Sequence, residues 1–107
     1  MHPCRIDILA QQGRIRYWVR NLVRREGSSF VLQKADGRFY PEVVCQLPGA
    51  GEEQGPVLVV EYKGAYGWTD AGDDRLIGGL WAGLSGGRCR FVMVKDKRWD
   101  WIDECLG

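Results

Sequence analysis

The sequence predicts an α/β domain, a mixed central sheet flanked by helices. Three observations lead there. Residues 57–60 read VLVV, so both faces of that strand are apolar, as they are in the middle of a sheet covered by helices on both sides. Asp36-Gly37 separates two segments of strand-like composition and is a strong two-residue hairpin signal. An apolar stripe at helical spacing over 75–84 stands between two strand-like segments, a crossover that suits parallel pairing.

Each element has its own justification. Residues 14–25, RIRYWVRNLVRR, are expected to form an amphipathic helix. Ile15, Trp18, Val19, Leu22 and Val23 fall at the i, i+3, i+4, i+7, i+8 spacing, with Arg16, Arg20 and Arg24 opposite and Arg14 and Arg25 flanking. Gly13 interrupts a helical lead-in from Ile6, and Gly27 suits the C-terminal cap. Strands are expected at 29–34 (SFVLQK), 39–47 (FYPEVVCQL) and 57–63 (VLVVEYK), with a polar loop over 48–56. The Gly- and Asp-rich stretch 64–74 reads as a loop. Residues 75–84, RLIGGLWAGL, then form a helix with Leu76, Ile77, Leu80, Trp81 and Leu84 as its stripe. Gly78, Gly79 and Gly83 each weaken that helix by up to about 1 kcal/mol relative to alanine, which suits close packing on the sheet. A strand over 88–95 (RCRFVMVK) and a short helix over 98–106 (RWDWIDECL) close the chain.

The 107 residues suit one domain, 1–107, and their formal charge of +1 argues neither for nor against nucleic acid. No apolar run approaches the roughly 20 residues of a membrane span, and MHPCRIDILAQQ lacks the features of a signal peptide, so a cytoplasmic protein is expected. Cys4, Cys45, Cys89 and Cys105 are scattered, with no CxxC pair, and read as small apolar residues rather than zinc ligands. The lone histidine, His2, lies outside every patterned segment, which sets aside Ser-His-Asp and Cys-His chemistry.

The candidate site is charged. On a strand, residues two apart share a face, so Glu61 and Lys63 emerge together at the end of the most apolar strand. If 48–56 joins neighbouring strands, Glu42 lies beside Glu61, although Pro41 marks that strand as irregular there. Two carboxylates that close repel unless a cation sits between them. A hard divalent ion such as Mg²⁺ takes carboxylate, carbonyl and water oxygens, and the carbonyl of Tyr62 is placed to add one. Metal and lysine together suit attack of water on a phosphodiester. The bland alternative is a solvated strand end, since an acid and a lysine two apart are common on strands.

Read together, RFYPEVV (38–44), LVVEYKG (58–64), LIGGLWA (76–82) and GRCRFVMV (87–94) resemble the PD-(D/E)XK nuclease superfamily. More narrowly they resemble the C-terminal nuclease-like domain of DEAD/DEAH-box helicases akin to type III restriction enzyme Res subunits, with WVRNL (18–22) fitting its leading helix. The resemblance spans about residues 14–95 and implies a restriction-endonuclease-like αβββαβ core and a DNA endonuclease, a hydrolase that uses Mg²⁺ or Mn²⁺. It implies Glu42 and Glu61 as acidic metal ligands, Tyr62 as carbonyl donor and Lys63 as catalytic lysine. Position 42 is Glu where relatives usually carry Asp, and position 79 is Gly where they often carry Glu. The implied partners are DNA and a helicase motor in cis or in trans; no Walker motif occurs in the chain.

Two further expectations attach to that frame. Arg14, Arg16, Arg20, Arg24 and Arg25 would contact phosphates or simply form a solvated helix face, and Trp68 and Tyr66 would stack on bases or close over the site, or else serve core packing or a partner surface. The alternative function is a nuclease fold acting as a DNA-binding or docking module without catalysis. Self-association through Trp99, Trp101 and Ile102 is a third reading.

Overall fold

The computed structural model describes residues 4–21, 30–34, 37–50 and 54–106, with the backbone alone at 4, 65 and 66. In chain order the elements are α1 (Cys4–Gln11), β1 (Tyr17–Arg20), β2 (Leu32–Lys34), β3 (Gly37–Phe39), β4 (Val43–Pro48), β5 (Gln54–Lys63), α2 (Ala65–Trp68), α3 (Gly72–Leu84), β6 (Cys89–Lys95) and α4 (Asp100–Leu106). The main sheet has four strands in the order β1-β4-β5-β6, and β2 and β3 form a separate two-stranded ribbon. β1 and β4 are antiparallel, as are β4 and β5, whereas β5 and β6 are parallel. The α/β class and the mixed sheet are therefore as the sequence predicts. Without the ribbon, the order is helix, three strands, the one-turn helix α2, the longer helix α3, a strand and a closing helix.

The start of the chain corrects the expectation. Residues 17–20, placed in a helix by their apolar spacing, are edge strand β1. The preceding helix is α1, and Gly13, at φ 76°, stops it where the chain needs a left-handed residue: the amides of Gly13 and Arg14 reach back to Ala10 and Leu9. The Tyr-Trp-Val run has the aromatic and β-branched side chains that suit a pleated surface. In strand geometry Arg16 and Arg20 lie on the same side as Trp18, not on a polar helix face. Residues 22–29, including Arg24, Arg25 and the expected cap Gly27, lie outside the described residues. Residues 32–34 pair only with 37–39, so the first expected strand belongs to the ribbon and not to the sheet.

Two apolar layers cover the sheet. On one face α1 and α4 contribute Ile6, Leu9 and Ile102 to a core with Val43, Cys45, Leu58, Val60, Val92 and Val94. On the other, Met93 and Phe91 meet Ile77 and Trp81 of α3 and Leu32 and Phe39 of the ribbon. β5 is thus covered on both faces. Ile102 is buried, and Trp99 and Trp101, both half-buried, pack against the first core. Apolar exposure falls on α3 instead: Leu76, Leu80 and Leu84 are 73%, 56% and 78% exposed. The helix is apolar nearly all round, and Ile77, Gly78 and Trp81 face the sheet. No helix among the described residues is long and apolar enough to cross a membrane.

Of Gly78, Gly79 and Gly83 in α3, only Gly78 serves close packing. A methyl there would sit 2.5 Å from Cε1 of Phe91, whereas one on Gly79 would meet nothing within 4 Å. Gly78→Ala is expected to cost about 1–3 kcal/mol by overpacking, and Gly79→Ala to gain about 0.5–1 kcal/mol of helix propensity. Urea unfolding midpoints read both, and effects of one sign would contradict the seating of α3 on β6.

Candidate functional site

The strand registers build the site. Val43 pairs with Val60 and Arg20 with Val43, so one step further Asn21, Glu42 and Glu61 form a row across the sheet, continued by Met93 of β6, which pairs with Glu61. The backbone N–H of Asn21 donates to the Glu42 carbonyl at 2.8 Å, extending the β1–β4 ladder to this row. Alternation places Glu42 and Glu61 on the α3 face, together with Val59, Lys63 and Met93. The same alternation puts Arg20 on the α1 face, opposite the carboxylates.

Glu61 is the buried charged residue of the described chain, 8% exposed. Its two oxygens are held from different sides. The backbone N–H of Glu42 donates to Oε1 at 2.7 Å, and the Lys63 ammonium lies 3.3 Å from Oε2. Burial pushes its pKa above the ordinary glutamate value, and the Glu42 charge pushes the same way, while Lys63 and the Glu42 amide pull it down. The two carboxylates therefore feel each other, and burial outweighs the local cation. Glu42 is half-buried at the entry to β4, and buried Pro41 precedes it as the last irregular residue. Tyr62 turns its ring to the other face, where it stacks on Trp99 at 5.5 Å.

Asn21 carries no signal in the sequence, because it falls within the expected helix. Its side-chain amide donates to the carbonyls of Phe30 and Pro41 at 2.7 and 2.8 Å and accepts from the Phe30 N–H at 2.8 Å. It ties the end of β1 to the residue before Glu42. In an Asn-bearing strand end next to a Pro-Glu pair, only the register reveals this role.

Beyond Lys63 the edge is cationic and aromatic. Lys95 is the register partner of Lys63, and Asp96, at φ 54°, donates its N–H to the Lys63 carbonyl at 2.8 Å. Trp68 carries the Arg75 guanidinium 4.1 Å from its ring centroid and the Lys95 ammonium at 5.5 Å, and its ring lies 5.7 Å from that of Trp101. The side chain of Tyr66 lies outside the described residues. Arg16 is exposed beside β4, and exposed Arg14 approaches Asp103 at 3.9 Å. Neither belongs to the Glu61 row. Cys45 lies in the first core, where burial lifts its thiol to about 12, so it is an inert apolar residue as its scattering suggests.

No family model, curated protein or solved structure matches this chain. Among the described residues no group of three or more His, Cys, Asp and Glu gathers as a self-sufficient metal cage. What gathers is a pair of carboxylates beside a lysine. Such a pair is a donor set that suits a hard, partly hydrated divalent ion completed by waters and ligand oxygens.

Proposed function

We propose that the chain is a metal-dependent DNA endonuclease domain of the PD-(D/E)XK type, with a restriction-endonuclease-like core, working with a helicase motor in cis or in trans. The observation that carries this reading is the placement of Glu61. A carboxylate at the end of the central strand is held almost out of solvent, opposite a second carboxylate and beside a lysine. The bond from the Glu42 N–H and the Lys63 ion pair offset only part of the cost of burying this charge, since burial still holds its pKa above the ordinary value. The element order agrees with the αβββαβ arrangement that the sequence resemblance implies.

In this reading Glu42, Glu61 and the Tyr62 carbonyl would hold Mg²⁺ or Mn²⁺. A hard divalent cation bound there supplies Lewis-acid polarisation of the scissile phosphate. The residues of the chain do the rest. The Glu42 N–H fixes one Glu61 oxygen, so the carboxylate is oriented before any ligand arrives. The Lys63 ammonium, held to the other oxygen, shifts toward the phosphate and stabilises the charge that builds on it as the bond to the leaving oxygen breaks. The apolar ring of Val59 and Met93 limits water around these groups, which strengthens each charge interaction.

The test is nicking of supercoiled plasmid in Mg²⁺ by the protein in its full-length context, beside Glu61→Ala and Lys63→Ala. Each substitution is expected to lower the rate by about 10²–10³-fold, the usual loss when one stabilising group is removed. Equal nicking by all three proteins would show the assignment to be wrong. The second reading, a nuclease fold that binds or docks without cutting, draws on the Glu at 42 and on the lack of a third acidic ligand among the described residues. It predicts DNA binding with no Mg²⁺ uptake. Metal binding that disappears in Glu61→Ala would remove it.

A further inference from the structure

We infer that Arg75 and Lys95 form, beside Lys63, a seat for a backbone phosphate of the DNA strand, and that Trp68 is the residue that positions them. The identity of the ligand rests on the nuclease reading above; the seat itself is built from residues outside the acidic pair.

The first observation is how these cations are partnered. Arg5, Arg14, Lys34, Lys63 and Arg98 each lie within ion-pair distance of a carboxylate. Arg75 and Lys95 do not pair with any carboxylate among the described residues. Both approach one indole instead, at 4.1 and 5.5 Å from its centroid. Arg75 is anchored twice, since it also donates to the Trp68 carbonyl. Two cations gathered on one ring repel each other, and the ring quadrupole offsets only part of that repulsion. With no carboxylate to neutralise them among the described residues, an anion within reach of both would complete the arrangement.

The second observation is where the cations stand. Lys63 and Lys95 occupy the last positions of parallel neighbours and share a face with Glu61. The bond from the Asp96 amide to the Lys63 carbonyl closes the two strand ends together, so Lys95 stays beside Lys63. A run from Glu61 through Lys63 to Lys95 and Arg75 therefore leads off the acidic pair along one edge. Phosphodiester oxygens suit this set: the guanidinium fork takes two of them and the ammonium acts as a point charge. Trp68 is then a platform rather than a base-stacking surface, because Arg75 covers its ring and Trp101 lies against it.

The test is binding of labelled duplex DNA in a chelating buffer, where no cutting occurs, as a function of salt. Arg75→Gln and Lys95→Gln are each expected to weaken binding several-fold. Each should also lower the log–log salt slope by about 0.9, the signature of one lost phosphate contact on duplex DNA. Arg88→Gln, at the opposite end of β6, should leave the slope unchanged. Trp68→Phe, which keeps a ring, should retain the wild-type slope, and Trp68→Leu should lose it at equal thermal stability. A slope that stays at the wild-type value in both Arg75→Gln and Lys95→Gln overturns the seat, as does a wild-type protein that does not bind DNA. If nicking survives while these slopes do not change, the seat alone fails. If nicking is absent but the slopes fall, the nuclease reading fails and the seat stands.

Discussion

Glu61→Gln is expected to make the metal-free protein more stable at neutral pH and, on the proposed nuclease reading, to abolish nicking. Burial raises the Glu61 pKa above 4.5, so the folded chain holds that proton where the unfolded chain has released it. Between 4.5 and the higher folded value the native state binds more protons, and stability falls as pH rises through that window. Glutamine does not titrate and still accepts the Glu42 N–H, so the variant escapes the decline. Its gain at neutral pH should be on the order of 1 kcal/mol, the usual size of a substitution that relieves a functional site. Below 4.5 the two proteins should converge. Mg²⁺ should reverse the ranking, because a cation that binds only the native wild type adds about 1.4 kcal/mol for each tenfold excess over its dissociation constant. Unfolding in chelator across pH, then with added Mg²⁺, measures this. Parallel curves in chelator would mean that Glu61 carries no buried-charge penalty, and the main support for the functional reading would be gone.

Asn21→Leu is expected to cost about 3 kcal/mol. The leucine fills the space but leaves the Phe30 N–H and the Phe30 and Pro41 carbonyls without their partner. Each buried polar group so stranded costs about 1–3 kcal/mol, and partial access to water keeps the sum toward the lower end. In a domain of this size that corresponds to a fall of more than roughly 10 °C in Tm. Asn21→Asp keeps the acceptor and loses both donors, so it should fall between. The effect on nicking should exceed the effect on stability, because Pro41 and Glu42 are tied through Asn21 and the Glu42 amide orients Glu61. A loss of Tm below about 2 °C would contradict the clamp.

What the sequence reveals of this fold depends on how many structures share each signal. Residues 57–63 are unambiguous, since a run apolar on both faces bounded by a Pro-Gly loop fits only a central strand, and the structure extends it by three residues to Gln54. The pairing of Glu42 with Glu61 is also legible, because a hairpin and a period of two suffice to bring them together. Residues 14–25 are not. Apolar positions 15, 18 and 19 satisfy the helical period, and over four residues the strand period fits Trp18 equally well. Contact with β4 decides, and that is a long-range fact. In α3 the leucines at 76, 80 and 84 are visible as apolar, but a helix apolar on every side does not declare which side meets the sheet; the contact of Gly78 with Phe91 does. Lys95 and Arg75 escape the sequence because the parallel register that sets Lys95 beside Lys63, and the fold of 65–72 that brings Trp68 under Arg75, are properties of the assembled sheet.

The arginines of β1 have a consequence of another kind. β1 is an outer strand of the sheet, four residues long, with Tyr17 and Val19 exposed on it. Among the described residues no strand lies on its outer side, and an outer strand of this composition suits pairing with an extended segment, including the same segment of another molecule. Arg16 and Arg20 bracket that short run. Their charge makes stacking of like strands repulsive in register, in the manner of gatekeeper residues that keep a sticky segment from seeding fibrils. They are expected to oppose amyloid-like growth along this outer strand.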